Sequence, residues 1–417
     1  MSAAIYLGID LGTSGVRGSA IDLQGKELAT ARLPLPPIQQ PADWKQAAFN
    51  VITRLCEQVE PEHIRAIAID GTSATVMLCD RNGEPCSAAL MYNDQSCTAE
   101  AGTIAQIAPE DSAARGASSS LAKALFLLRH KPDAAHICHQ ADWIAGLLCR
   151  RFAFSDENNC LKLGYDPVGR EWPEWLSQLG IDSALLPQVY EPGTAIATVD
   201  ATVAGELGLP ADCSIAAGTT DSIAAFIATG AGKTGEAVTS LGSTLVLKLV
   251  SDKPVFCSQL GVYSHRLGDT WLAGGASNSG GQVLLKYFDT ARLQQMTALL
   301  KPGTPTGLDY YPLARPGERF PRNDPEQQPR LEPRPDNDVQ FFQAMLEGIA
   351  EIEAEGYRTL SRLGAPALTK VFTAGGGSSN PAWRKIREHK LGVPVVIAEH
   401  SEASYGAALL ARRAHND

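Results

Sequence analysis

Three short stretches of this 417-residue chain carry the residue types that handle phosphate and protons. The first is Asp10-Leu11-Gly12-Thr13-Ser14-Gly15, at the end of an apolar run over residues 5–10 that reads as a buried strand. A tight reversal built from glycines and hydroxyls can aim several backbone N–H groups at one anion without a cationic side chain. Asp10 at the strand tip could hold magnesium through water, because that cation keeps most of its waters and takes few carboxylates. A plain glycine hairpin with a capping Asp would look the same, and the G-x-x-x-x-G-K-[ST] phosphate loop is absent. The second stretch is Ala216-Ala217-Gly218-Thr219-Thr220-Asp221-Ser222, between a strand over 213–217 and a helix over 223–227. An acid at such a junction lies near a positive dipole end and stays ionised, which suits a base that takes a hydroxyl proton; it also suits an ordinary helix N-cap. The third is Thr373-Ala374-Gly375-Gly376-Gly377-Ser378-Ser379-Asn380. Successive glycines let a planar base lie against the backbone and Asn380 could bond its amide-like edge, whereas the plain alternative is a loop before a helix capped by Asn380.

The elements that must position these residues follow from hydrophobic periodicity. Strands are predicted over 5–10, 16–22, 27–33 and 64–70, with a helix from Asp43 marked by Trp44, Ala48, Val51 and Leu55. Asp43 is placed to cap its first turn. Strand, strand, strand, helix, strand is the order of a ribonuclease-H-like half. A second half opens near Gly230 with strands over 236–240 and 245–250 around Leu241-Gly242-Ser243-Thr244, and further strands over 261–265 and 270–273. A long helix over 341–363, a strand over 371–374, a helix over 381–391, a strand over 393–398 and a closing helix over 401–414 complete it. The halves repeat one ordered pattern, in which strand, small-residue turn and strand precede a later strand that enters a glycine loop. Residues 303–337, rich in Pro and Arg, are expected to form an irregular surface connection or flap.

Composition bounds the partners. A chain of 417 residues exceeds the size at which one core keeps growing, so two domains are expected. A net charge of -10 argues against nucleic acid or anionic membrane as a partner, and it means that polyphosphate must be held by backbone amides, a divalent cation or a few placed cations. Nine scattered cysteines without a C-x-x-C pair read as free thiols of a reducing compartment. His136, Cys138 and His139 lie close together with no second ligand cluster, so a metal site is not expected there. No signal peptide or membrane-spanning run is visible, and the expected location is the cytoplasm, or an organelle stroma in a mature form.

Taken together and in this order, the motifs resemble the FGGY family of carbohydrate kinases, and the resemblance covers nearly the whole chain. Asp10-Leu11-Gly12-Thr13 matches the family's D-x-G-T loop, Gly218-Thr219-Thr220-Asp221 the segment with its catalytic base, and Thr239-Ser240-Leu241-Gly242-Ser243-Thr244 its second phosphate loop. Gly317-Glu318-Arg319-Phe320-Pro321 resembles its G-E-R-x-P segment, Gly375-Gly376-Gly377 its adenosine loop, and Glu402-Ala403-Ser404-Tyr405-Gly406-Ala407-Ala408 its terminal helix. Within the family the chain resembles the short pentulose kinases of cyanobacteria and plants, whose stretches IDGTS, LKLGY, AGTTDSIAAF, GEAVTSLGST and GLDYYPL are close to residues 69–73, 161–165, 217–226, 235–244 and 307–313.

The resemblance implies an α/β fold of two ribonuclease-H-like, actin- or hexokinase-type domains around a central cleft. The first domain is residues 1–228, with the sugar side and the catalytic Asp; the second is 229–400, with the nucleotide side; residues 401–417 form a terminal helix packing back on the first. It implies transfer of the ATP γ-phosphate to a ketopentose, most simply D-ribulose to D-ribulose 5-phosphate, with D-xylulose or a non-catalytic nucleotide-binding regulator as alternatives. Asp221 and Asp10 are the expected catalytic residues, and Asp10 positions magnesium, most simply through water. ATP falls to Gly12, Thr13, Ser14, Gly242, Ser243, Thr244, Gly375, Gly376, Gly377 and Asn380. The sugar falls to Asp10, Ser73 and Asp221, then to Tyr92, Asn93 and Asp94. Larger members carry W-x-D-x-R where this chain reads Tyr92-Asn93-Asp94-Gln95-Ser96, so Ser96 stands in the place of the Arg. Lys123 is expected to be a surface lysine on an amphipathic helix. The protein is expected to act as a monomer or homodimer.

Overall fold

A computed structural model describes residues 4–131 and 133–416, which form two compact units, Met1–Ala228 with His400–Asp417, and Thr229–Glu399. The first unit begins with strands β1 (Ile5–Leu11), β2 (Gly15–Asp22) and β3 (Glu27–Pro34), helix α1 (Pro41–Cys56) and strand β4 (Ile64–Gly71). Helix α1 starts two residues before the expected Asp43: Gln40 is the N-cap, Asp43 Oδ2 accepts its N–H at 2.8 Å from within the first turn, and Pro41 needs no partner for its nitrogen. Trp44, Ala48, Val51 and Leu55 form its buried stripe against β2, where Gly18 lets the helix approach: a Cβ there would lie 2.6 Å from Val51.

A lobe of shorter elements follows: β5 (Val76–Cys79), α2 (Thr98–Ile107), α3 (Ser120–His130), β6 (His136–His139), α4 (Gln140–Cys149), β7 (Phe154–Asp156), α5 (Glu157–Cys160) and β8 (Gln188–Tyr190). The chain then re-enters the main sheet through β9 (Ala195–Thr198), α6 (Ala201–Leu207), β10 (Ser214–Thr220) and α7 (Asp221–Ala228). The sheet order is β3-β2-β1-β4-β10-β9. The second unit contains β11 (Glu236–Leu241), β12 (Leu245–Ser251), β13 (Tyr263–Leu267), β14 (Thr270–Ser277), α8 (Gly281–Leu285), α9 (Thr290–Thr297), α10 (Asp338–Arg362), β15 (Lys370–Ala374), α11 (Pro381–Leu391) and β16 (Val395–Ile397). Its order is β13-β14-β12-β11-β15-β16. Leaving out β9 and β13, each sheet reads 3-2-1-4-5 in its own strand numbering, so the repeat seen in the sequence is a repeat of topology.

The last helix, α12 (Ala403–Asn416), lies on the sheet of the first unit. Two glycines allow this contact: a Cβ on Gly8 of β1 would sit 2.0 Å from the Ser404 carbonyl, and one on Gly406 would sit 1.8 Å from that of Ala224 in α7. Ser19 and Ser404 share a buried hydrogen bond of 2.9 Å, and Tyr405 donates to the Gly25 carbonyl at 2.6 Å. In the second unit, α10 buries Phe342, Leu346, Ile349 and Ile352 against the sheet.

Two expectations change. Residues 303–337 contain no helix or strand, yet they are not merely surface: Tyr310, Tyr311, Leu313 and Phe320 are core residues. Glu318 fixes this segment by accepting from Ser277 Oγ at 2.6 Å and from the Asn278 N–H at 2.7 Å. Strand β10 also runs on through Thr219 and Thr220, because β4 offers parallel partners at Asp70 and Gly71. All nine cysteines are free thiols. Among the described residues no helix is long and apolar enough to cross a membrane.

Candidate active site

Strands β1, β4 and β10 are neighbours and point the same way, so their C-terminal tips gather three acids. Asp10 is the partner of Asp70 and Asp70 of Thr219 in the strand register, and Asp221 begins α7 directly after β10. Asp221 is thus the first helical residue, with its Oδ1 accepting the Ser222 N–H at 2.6 Å. A cavity of about 450 Å³ at these tips is lined by Asp10, Gly12, Thr13, Ser14, Arg17 and Asp221, together with Glu402. The hairpin register sets Arg17 opposite Asp10, and its Nη1 reaches Asp10 Oδ2 at 3.2 Å while Nε lies 3.6 Å from Glu402.

The electrostatics follow from burial. Loss of solvent pushes the Asp10 carboxyl up, while the Asp70 side chain and the Arg17 guanidinium pull it down. Asp70 is held well above the usual carboxylate range by burial first, then by the charges of Asp10 and Asp221. Oδ1 of Asp10 is buried and finds no hydrogen-bond partner among the described residues, and the same holds for both oxygens of Asp70. Hard carboxylate oxygens with an unfilled acceptor beside an open cavity fit a divalent cation held partly through water. Asp10 is the residue that would hold it.

The turn after β1 fits an anion. Gly12 N–H bonds the Gly15 carbonyl at 3.1 Å, the Thr13 carbonyl takes the Gln39 amide at 2.7 Å, and the Ser14 carbonyl takes the Leu35 N–H at 3.1 Å. With the carbonyls engaged, the N–H groups of Thr13 and Ser14 find no acceptor among the described residues.

Of the other sugar-side candidates, Ser73 is half-buried on the turn that leaves β4, three residues after Asp70. Tyr92 and Asn93 are exposed, and neither they, Asp94 nor Ser73 line the 450 Å³ cavity. Asp94 is fixed by Ser96, whose N–H and Oγ both bond Oδ1, at 2.8 and 2.6 Å; these bonds hold its carboxyl below the usual range. Ser96 therefore orients the neighbouring acid.

In the second unit β11 and β15 run side by side, with Ser240 paired to Ala374, so their following loops adjoin. The turn of Gly242, Ser243 and Thr244 is tied down by the Gly281 N–H on the Gly242 carbonyl at 2.9 Å and by the Gln282 N–H on that of Ser243 at 3.2 Å. Gly375 has φ +81°, and a Cβ there would meet the Leu241 carbonyl at 2.8 Å, so only glycine fits. Gly376 and Gly377 continue as a single 3-10 turn. Asn380 caps α11, with Oδ1 on the Trp383 N–H at 2.9 Å and Nδ2 on Thr297 Oγ1 at 3.2 Å.

The chain is similar to known proteins over nearly its whole length. Residues 5–228 match the N-terminal domain of the FGGY family of carbohydrate kinases, and residues 237–415 match its C-terminal domain. The chain belongs to that family. It is 24% identical to the xylulose kinase of Staphylococcus epidermidis over 99% of this chain and 88% of that protein. Identity to the xylulose kinase of Escherichia coli is likewise 24%, over 92% of this chain and 84% of the relative. Among solved structures, a xyloylose kinase from Brucella ovis superposes with a TM-score of 0.89 at 26% identity, covering 99% and 90% of the two chains. This FGGY protein is therefore a sugar kinase, a phosphotransferase with an alcohol acceptor.

Several site residues escaped the sequence reading. Arg17 was within reach, since a four-residue reversal after Leu11 pairs positions 10 and 17. Asp70 had a visible signal too, because residues 5–10 and 64–70 both end an apolar strand in Ile-Asp. Lys123 is corrected outright: it is completely buried rather than a surface lysine. His139 is an ordinary buried histidine bonded to Asp142 and Ser120 at 2.9 and 3.1 Å.

Proposed function

We propose that this kinase transfers the γ-phosphate of ATP to the terminal hydroxyl of a ketopentose, with D-ribulose as acceptor and D-ribulose 5-phosphate as product. The observation that carries the reading is the convergence of Asp10, Asp221 and Arg17 on one cavity that also exposes the N–H groups of the Thr13 turn. Phosphoryl transfer asks a protein mainly for positioning and charge stabilisation, and these groups supply both. Asp221 accepts the hydroxyl proton as the oxygen attacks. Arg17 and the backbone N–H groups of Thr13 and Ser14 stabilise the charge on the equatorial oxygens, and Gly12 closes the turn that presents them. In the second unit, the turn of Gly242, Ser243 and Thr244 is suited by its own N–H groups to phosphate, and Gly375, Gly376, Gly377 and Asn380 form a loop suited to adenosine. Magnesium, when bound near Asp10, neutralises the phosphate oxygens.

Similarity to the short pentulose kinases supports D-ribulose, as does Ser96 in the place of the family's Arg, because that position then supplies no fork of donors. The names of the relatives favour a second reading, D-xylulose. A phosphorus NMR assay of the purified chain with magnesium, ATP and each pentulose tests the activity. A new sugar monophosphate resonance supports it, and ATP left unchanged with every pentulose rejects it.

A further inference from the structure

We infer that Lys123 is the positioning residue of the sugar subsite, tying the turn that carries Ser73 to the loop that carries Tyr92, Asn93 and Asp94. The inference rests on the reading of those four residues as sugar contacts.

Ser119 caps α3, its Oγ accepting the Ala122 N–H at 3.1 Å, and Lys123 follows on the buried side of the first turn. Its Nζ donates to the Ala74 carbonyl at 2.9 Å and to the Met91 carbonyl at 2.6 Å. Each acceptor is the immediate neighbour of a predicted contact, Ala74 after Ser73 and Met91 before Tyr92. An ammonium has three N–H groups and can hold two carbonyls at once through charge-assisted bonds, which are stronger than neutral ones.

The turn needs holding. Ala74 has φ +66°, the left-handed region that disfavours any residue with a Cβ and persists only where the surroundings enforce it. A second tie runs beside the first: Tyr92 N–H donates to Thr75 Oγ1 at 3.0 Å, and Thr75 and Thr72 hydroxyls bond at 2.6 Å. Beyond them Val76 and Leu90 exchange backbone bonds of 3.1 and 2.9 Å. The two segments are thus clamped along their length, with the cation at the end nearest Ser73 and Tyr92.

A fully buried ammonium is costly, and neither of its two partners is a carboxylate. Burial brings its pKa down to about 8; the charge of Asp94 raises it, Lys162 lowers it and Cys97 raises it. Across the helix, Arg129 of α3 is paired with Glu100 of α2 at 2.6 Å and neutralises that acid. Packing alone would be served by an apolar side chain at this position. The cation is explained by the two carbonyls it holds.

Steady-state kinetics with ATP and D-ribulose test this on the full chain, comparing wild type with Lys123→Met and following thermal unfolding alongside. The sugar KM is expected to rise roughly ten-fold or more, while the ATP KM stays within about two-fold. Adding Ala74→Gly, which accepts positive φ freely, is expected to recover part of the lost sugar affinity. Thr75→Val, which cuts the adjacent tie, should raise the sugar KM in the same sense and serves if Lys123→Met folds poorly. A wild-type sugar KM in either single variant, or equal rises in both KM values, overturns the positioning role while leaving the kinase reading standing. A wild type inactive on every ketopentose overturns both.

Discussion

Asp10 and Asp70 stand opposite each other in the parallel register of β1 and β4, and both are buried, at 3% and 0% exposure. Two acids side by side away from water cannot both be charged without penalty. Asp70, the deeper one, carries the larger upward shift, driven by burial and then by Asp10 and Asp221. Asp10 faces the cavity and has Arg17 against it, so it is the better candidate to hold the charge.

Asp70→Asn should therefore be more stable than wild type at pH 7. A carboxyl whose folded pKa is raised binds a proton that the unfolded chain has released. Its stabilising contribution is full below the unfolded value, 3.8, and is lost as pH rises through the folded one. Asn removes that loss while keeping the size of the side chain, for a gain of roughly 1–3 kcal/mol. Thermal melts at pH 7 and pH 4.5 check it: the advantage should shrink on acidification, and a pH-independent difference would contradict it.

Asp221→Asn should abolish sugar phosphorylation while ATP binding survives. Loss of a general base costs about a hundred- to ten-thousand-fold in turnover. Turnover by rapid quench and ATP affinity by calorimetry separate the two effects, and near-normal turnover would reduce Asp221 to the opening residue of α7.

Asp10→Ala should lose magnesium-dependent turnover, because the cation loses its positioning carboxylate and Arg17 its partner. Titrating magnesium against activity distinguishes the roles. Partial rescue at high magnesium supports a metal role, and a variant equally inactive at every concentration assigns Asp10 to the sugar.

Arg387 and Glu353 form a buried two-bond ion pair in the second unit, with contacts of 2.6 and 2.7 Å. Arg387 also donates to Thr373 at 2.7 Å, next to the strand end that leads into the Gly375 loop, and Thr239 donates to Glu353 at 2.6 Å. Glu353→Gln leaves a buried guanidinium without its counter-charge and should destabilise by roughly 3–5 kcal/mol. Urea denaturation measures this, and a loss under about 1 kcal/mol would mean that the pair is not needed.

How much of this was legible depends on whether the determinant is local. The repeated strand order showed in the alternation of apolar runs with glycine turns, and the α1 stripe from Trp44 to Leu55 showed in its spacing. Lys123 did not, since its partners Ala74 and Met91 lie 49 and 32 residues away and a helical pattern carries no trace of a carbonyl brought in by another element. Residues 303–337 bury Tyr311 and Phe320 on irregular backbone, where no periodicity exists to reveal burial. Strand β10 runs further than its sequence suggests, because Thr219 and Thr220 look like loop residues until β4 offers them a ladder.

The acceptor decides the account. A site built around particular hydroxyls penalises a misdirected one by about 1–3 kcal/mol, because polar groups on both sides go unpaired. The measurement is kcat/KM of the purified chain with D-ribulose and with D-xylulose, under saturating magnesium and ATP, read as ADP release. A preference for D-ribulose of roughly five- to 150-fold is predicted. Equal or better efficiency with D-xylulose would contradict the D-ribulose assignment, and no sugar-dependent ADP with either would contradict pentulose kinase activity itself.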